Sequence, residues 1–293
     1  MHLGIEVRFD MKTYNATLID SERYVLGECP YFDPRSGKYS WVDIESNRFY
    51  TRTADGETEC FDMGQPVGAA VPLRDREGYL LAARDGLFVL EDKKTTLLQD
   101  MTSFYKPYLR SNDAKADPEG RVFFGSSVLD DHNPEGNLYC FDGNSVRVMQ
   151  KDTKIANGMA WRSDQKKFYF SDSMEHAVFS YDYDRETGDI SGRKALFEIK
   201  DGIPDGMCID SEDNLWVAVW GGSRIEKRST ATGEKLAEIS VPALQTTSCC
   251  FSGEQMDTLF ITSAGVGQTG QYDGCLFMCR VDARGVEPDY VKL

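Results

Sequence analysis

The sequence predicts an all-β fold: a six-bladed β-propeller with four-stranded antiparallel blades around a central channel. Three observations lead there: a pattern that recurs six times, the spacing of its copies, and the residues that fill them. The copies read GKYSWVDI, EGYLLAAR, EGRVFFGS, KKFYFSDS, DNLWVAVW and DTLFITSA, each a Gly or polar turn followed by a short aromatic and β-branched run. With Tyr39, Tyr79, Val122, Phe168, Leu215 and Leu259 as markers, the spacings are 40, 43, 46, 47 and 44 residues. That is the length of four short strands, the unit of a propeller blade.

Further strand-like runs follow the markers, such as GLFVLED, GNLYCFD, AVFSYDYD, SRIEKRS and GCLFMCRVD. Helical solenoids share this period. Here the runs alternate every second residue, turn at Gly and Asp-Gly, and are not interrupted by a convincing amphipathic helix. Residues 1–15 precede the repeat as an N-terminal extension, and 16–293 form one propeller domain. The stretch before Glu28 is placed to supply a strand that closes the ring.

Composition narrows the function. The 293 residues are 41% apolar and 12% aromatic, enough for a packed core, and carry a formal charge of −15. Such a surface repels phosphate backbones and anionic lipid, so neither nucleic acid nor membrane is an expected partner. The first twenty residues hold no basic n-region and no apolar h-region, and no apolar run reaches the length of a membrane span. A cytoplasmic protein, monomeric or weakly self-associating, is expected. Its eight cysteines form no CxxC pair and read as free thiols.

A second regularity concerns the strand before each marker. The segments GECPYFD, VGAAVPL, NDAKADP, NGMAWRS, DGMCIDS and SCCFSGE align Glu28, Gly68, Asn112, Asn157, Asp205 and Ser248, each 10 or 11 residues ahead of its marker. In a propeller these positions are related by rotation and face one another across the axis. Any single Asx-Gly pair is ordinary turn chemistry. Equivalence across the repeats turns the set into a ring of oxygen donors. Carboxylates gathered on one axis repel unless a cation lies between them. Glu, Asp and Asn oxygens accept Ca²⁺, Mg²⁺, Mn²⁺ or Zn²⁺.

The motifs LGECPYFD, WVDIESNRFY, RSNDAKADPEGR, IANGMAW, YFSDS, YDYDRETGDIS, IPDGMCIDSEDNLWVAVWGG and LFITSAG run in order from about Tyr24 to the C-terminus. Together they resemble the SMP-30/gluconolactonase/LRE family, which includes regucalcin and bacterial sugar lactonases. The resemblance implies a six-bladed propeller and a metal-dependent lactonase of carbohydrate metabolism. Its single divalent ion, Ca²⁺ or Zn²⁺ first, is held by Glu28, Asn157 and Asp205, and Arg110 and Asn112 contact a small lactone substrate. A further acidic contact falls near Asp130, in the short loop DDHNPEGN. Cys29 stands where relatives often carry a smaller or hydroxyl-bearing residue. The expected chemistry is a carbonyl polarised by the cation and a water activated by Asp205, opening the ring to a hydroxy acid. Two alternatives stand beside it: another esterase or organophosphate hydrolase activity in the same pocket, and a non-enzymatic calcium-binding regulatory role.

Other signals have plain explanations. Gly265-Val266-Gly267-Gln268-Thr269-Gly270 fits GxGxxG, but a strand-like run follows it, so it reads as a last-blade loop. Asp182, Asp184 and Glu186 lack the Gly and the bidentate Glu of a calcium loop and read as a hairpin turn. No GxSxG elbow is present, and His2, His132 and His176 are scattered.

Overall fold

The computed structural model describes residues 11–128 and 135–293. Asp130 and His132 lie outside the described residues, as does His2. Two short strands come first, β1 (Lys12–Asn15) and β2 (Thr17–Asp20). Blade one is β3 (Gly27–Asp33), β4 (Lys38–Asp43), β5 (Arg48–Arg52) and β6 (Thr58–Asp62). Blade two is β7 (Val67–Pro72), β8 (Tyr79–Ala83), β9 (Gly86–Glu91) and β10 (Lys94–Asp100). Blade three is β11 (Leu109–Ala116), β12 (Val122–Val128), β13 (Gly136–Phe141) and β14 (Val146–Thr153). Blade four is β15 (Ala156–Trp161), β16 (Lys167–Asp172), β17 (Ala177–Tyr183) and β18 (Ile190–Glu198). Blade five is β19 (Ile203–Ile209), β20 (Asn214–Trp220), β21 (Arg224–Ser229) and β22 (Lys235–Ser240). Blade six has β23 (Gln245–Ser252), β24 (Thr258–Ala264) and β25 (Leu276–Arg280).

Each blade is an antiparallel meander, and the six marker residues all fall on its second strand. Blade six takes its fourth strand from the N-terminus, because β2 pairs antiparallel with β25. This is the ring-closing strand expected before Glu28. Just ahead of it, β1 pairs in parallel with β22 and adds a fifth strand to blade five. The innermost strands β3, β7, β11, β15, β19 and β23 pack side by side around the axis. The fold is the all-β propeller the repeats predict; the one helix among the described residues is a single 3₁₀ turn, Ser173–Glu175.

Apolar faces of neighbouring blades meet as separate cores. Between blades six and one, Trp41 stacks on Tyr50 with centroids 5.4 Å apart and meets Phe260 edge-on at 5.9 Å. Between blades three and four, Phe123, Trp161 and Phe168 pack together. Aromatic pairs of this kind add about 0.5–1.5 kcal/mol each beyond the area they bury. The turn after the inner strand is fastened by an aspartate in several blades. Asp117 accepts the amides of Glu119 and Arg121, and Asp210 those of Glu212 and Asn214. Asp182–Glu186 is the hairpin turn expected, Asp184 accepting the amides of Glu186 and Thr187. Gly265–Gly270 is the loop between β24 and β25.

The C-terminal segment straps the far mouth of the channel. It bridges Gly285 to Asp210 at one side and Val291 to Leu73 at the other, with the Tyr31 hydroxyl donating to the Asp289 carbonyl between them at 2.5 Å. Among the described residues no helix is long and apolar enough to cross a membrane.

Candidate active site

The six aligned positions all lie on innermost strands, and each coincides with a defect in strand pairing. Register breaks fall between Glu28 and Tyr31, Val67 and Ala69, Ser111 and Ala114, Asn157 and Met159, Pro204 and Met207, and Thr246 and Ser248. A bulge leaves residues unpaired, bends the strand and re-aims the side chain beside it. The repeated defect thus marks one residue per blade, in or beside the break in pairing, and in five of the six blades that residue carries a side chain. Glycines let the strands approach there. A Cβ on Gly68 would come within 2.3 Å of the Asn112 carbonyl oxygen, and one on Gly206 within 2.0 Å of the Ser248 hydroxyl.

Glu28, Asn112, Asn157, Asp205 and Ser248 are 4–7% exposed, polar groups gathered in a desolvated ring. The Asn157 amide nitrogen donates to Asp205 Oδ1 and, at 3.2 Å, to Ser173 Oγ, whose own proton goes to the Pro204 carbonyl. Across the ring, Arg110 Nη1 donates to Asn112 Oδ1 at 2.8 Å and to the Ser111 carbonyl at 3.0 Å. Asn112 in turn donates to the Ala156 carbonyl, tying blade three to the strand that carries Asn157. The Arg110 Nε has no hydrogen-bond partner and stands 4.0 Å from Glu45 Oε1. Of the expected residues, Arg110 thus pairs with Asn112 and Asn157 with Asp205, while Glu28 is linked to Arg110 and Asp205 through charge. Gly68 brings no side chain, so blade two contributes only space.

The electrostatics show crowding. Burial raises the Glu28 carboxyl to about 8, with Asp113 adding repulsion and the Cys29 amide and Arg110 opposing it. Asp205 is pushed well above the usual carboxylate range by burial, then by Glu28 and Asp113. Asp113 is raised by burial too, against the pull of Lys115. Three carboxyl groups from blades one, three and five thus feel one another in a medium that favours their neutral forms. One Asp113 oxygen is buried without a hydrogen-bond partner.

These features fit a divalent cation, although among the described residues no three His, Cys, Asp or Glu side chains form a metal cluster by themselves. The ring offers two carboxylates and an amide, a hard-oxygen set. Asn157 at present directs its nitrogen, not its oxygen, at Asp205. Rotation of that amide is needed for it to serve as a ligand.

Asp113, Lys115 and Ser173 were not singled out from sequence as site residues. Asp113 and Lys115 sit in RSNDAKADPEGR and Ser173 in YFSDS, but an alignment taking one residue per blade passes over them. Beyond Lys115, toward the C-terminal strap, lies a separate cavity of about 100 Å³. Its walls include Tyr31, Met159, Trp161, Ile209 and Phe251, so it is mostly apolar and distinct from the ring of oxygens.

Six blades around a buried ring of carboxyl, amide and guanidinium groups define a propeller with an axial polar site. Residues 26–265 match the family described as SMP-30/Gluconolactonase/LRE-like region, and the chain belongs to that family, a lactonase-type group. It is 32% identical to regucalcin of Gallus gallus over 89% of this chain and 91% of that one. It is 29% identical to the putative sugar lactone lactonase YvrE of Bacillus subtilis, over 94% and 97%. A solved structure described as a calcium-binding protein, regucalcin, from Agrobacterium tumefaciens superposes with TM-score 0.90 at 25% identity, covering 96% of this chain and 99% of that one.

Proposed function

We propose that this protein hydrolyses small sugar lactones to hydroxy acids with one divalent cation held by Glu28, Asn157 and Asp205. The observation that carries this is the placement of Glu28, Asn157 and Asp205 at equivalent register breaks of three innermost strands, with Asn157 bonded to Asp205. A sugar lactonase and regucalcins among the relatives support it. When bound, the cation polarises the lactone carbonyl and lowers the charge repulsion among its ligands. Arg110 and Asn112 hold substrate hydroxyls, pre-oriented by their mutual hydrogen bond. Asp205 takes the proton of the attacking water once the Asn157 amide has turned its oxygen toward the cation and released the Asp205 carboxylate from its N–H. Ring opening then gives the hydroxy acid. All eight cysteines are free thiols, in keeping with a reducing, cytoplasmic setting.

A panel of aldonolactones followed by acid release, with and without chelator, tests this. Chelator-sensitive hydrolysis is the expected outcome. Hydrolysis of aryl esters or phosphotriesters with no lactone turnover replaces the substrate and keeps the machinery. Stoichiometric cation binding with no turnover on any substrate favours a regulatory calcium-binding role.

A further inference from the structure

The roles proposed above leave one charged group at the axis unused. Lys115 follows Asn112 by three residues on β11, and its ammonium crosses the channel from blade three to donate to the Met207 carbonyl on β19 of blade five. It also forms part of the wall of the apolar cavity. Its charge opposes the rise of the Asp113 pKa that burial causes, and it acts in the same sense on the thiols of Cys29, Cys208 and Cys250. A partly buried ammonium tied to one carbonyl is costly unless negative charge compensates it. The carboxyl that feels this charge is Asp113, two residues back on the same strand, which in turn repels Glu28 and Asp205.

We infer that Lys115, pinned across the axis on the Met207 carbonyl, is a built-in counter-charge to Asp113, a positioning residue that sets how tightly a divalent cation is held in the ring. The inference rests on the proposed cation site. An ammonium fixed across the axis lowers the affinity for any ion bound in the ring, because like charges repel in a weakly screened interior. Loss of Lys115 leaves Asp113 under-compensated and the cation more strongly attracted.

Calorimetric titration of chelator-treated protein with Ca²⁺ and with Mn²⁺ tests this in the full chain. Lys115→Met should bind either ion about tenfold more tightly than wild type, and Lys115→Arg within about threefold of it. Lys115→Met that keeps its circular dichroism but binds equally or more weakly overturns the inference and leaves Lys115 a structural tie. If Lys115→Met does not fold, the pair Asp113→Asn and Asp113→Asn/Lys115→Met decides. The single variant should weaken binding about tenfold, and the double variant, missing one charge of each sign, should return to near wild type. A double variant as weak as Asp113→Asn alone overturns the counter-charge role. Wild-type protein that binds neither ion stoichiometrically removes the cation site itself, an outcome distinct from any change at Lys115.

Discussion

At the scale of single residues, the two halves of the site should separate kinetically. Asp205→Ala removes the proposed base and is expected to lower kcat by about 10²–10⁴-fold on any lactone the enzyme accepts. A steady-state assay returning normal kcat would exclude Asp205 from the chemistry. Asn112→Ala should chiefly raise KM, by roughly tenfold, since it removes a hydrogen-bonding group and frees the Arg110 fork. Glu28, Asn112, Asn157 and Asp205 could be aligned because rotational equivalence along a repeat is a statement about position that needs no coordinates, whereas Arg110 came from the family resemblance alone and is found hydrogen-bonded to Asn112. Asp113 and Lys115 escaped because they sit one and three residues past the aligned position. Only the bulge between Ser111 and Ala114 makes Asp113 a neighbour of the ring. A regular strand would send adjacent side chains to opposite faces.

At the scale of elements, the register breaks and the glycines beside them are the devices that build the site. Gly68→Ala would drive a methyl group into the backbone carbonyls of Ser111 and Asn112, which a side-chain rotation cannot relieve. A loss of about 1–3 kcal/mol is expected, together with a raised KM, because the strand that shifts is the one bearing Arg110 and Asn112. Denaturant unfolding and kinetics on the same variant check both parts. The C-terminal strap gives a pH prediction. Burial raises the Asp289 carboxyl from 3.8 to about 6, with Asp117 adding to the effect. The folded chain therefore holds this proton more tightly than the unfolded one. The stability it confers is complete below 3.8 and lost as pH climbs through about 6. Melting temperatures of Asp289→Asn should lack that part of the decline; identical pH profiles for the two proteins would contradict it. Blade strands were legible in sequence because aromatic and β-branched residues alternate through them. The strap was not, since Gly285–Asp289 has no periodicity and is fixed by a bridge and hydrogen bonds to residues far away in the chain.

For the whole molecule, stability is distributed among interblade cores, and the ring holds only while every junction does. Trp41→Ala empties the junction of blades six and one, where Trp41, Tyr50, Tyr24 and Phe260 pack. A cost of about 3–5 kcal/mol is expected in chemical denaturation. Sequence alone located the closing strand but not the parallel pairing of β1 with β22, because KTYN is too short to show a period. The closure also has a temporal side. Thr17 donates to the Met278 carbonyl, a partner 261 residues away. On the ribosome, the segment that completes blade six is made before any of the six blades and must stay unpaired until β25 has followed. Until then a nascent chain carrying five finished blades presents an unsatisfied sheet edge at each end of its arc, the form in which self-association or chaperone capture competes with native closure.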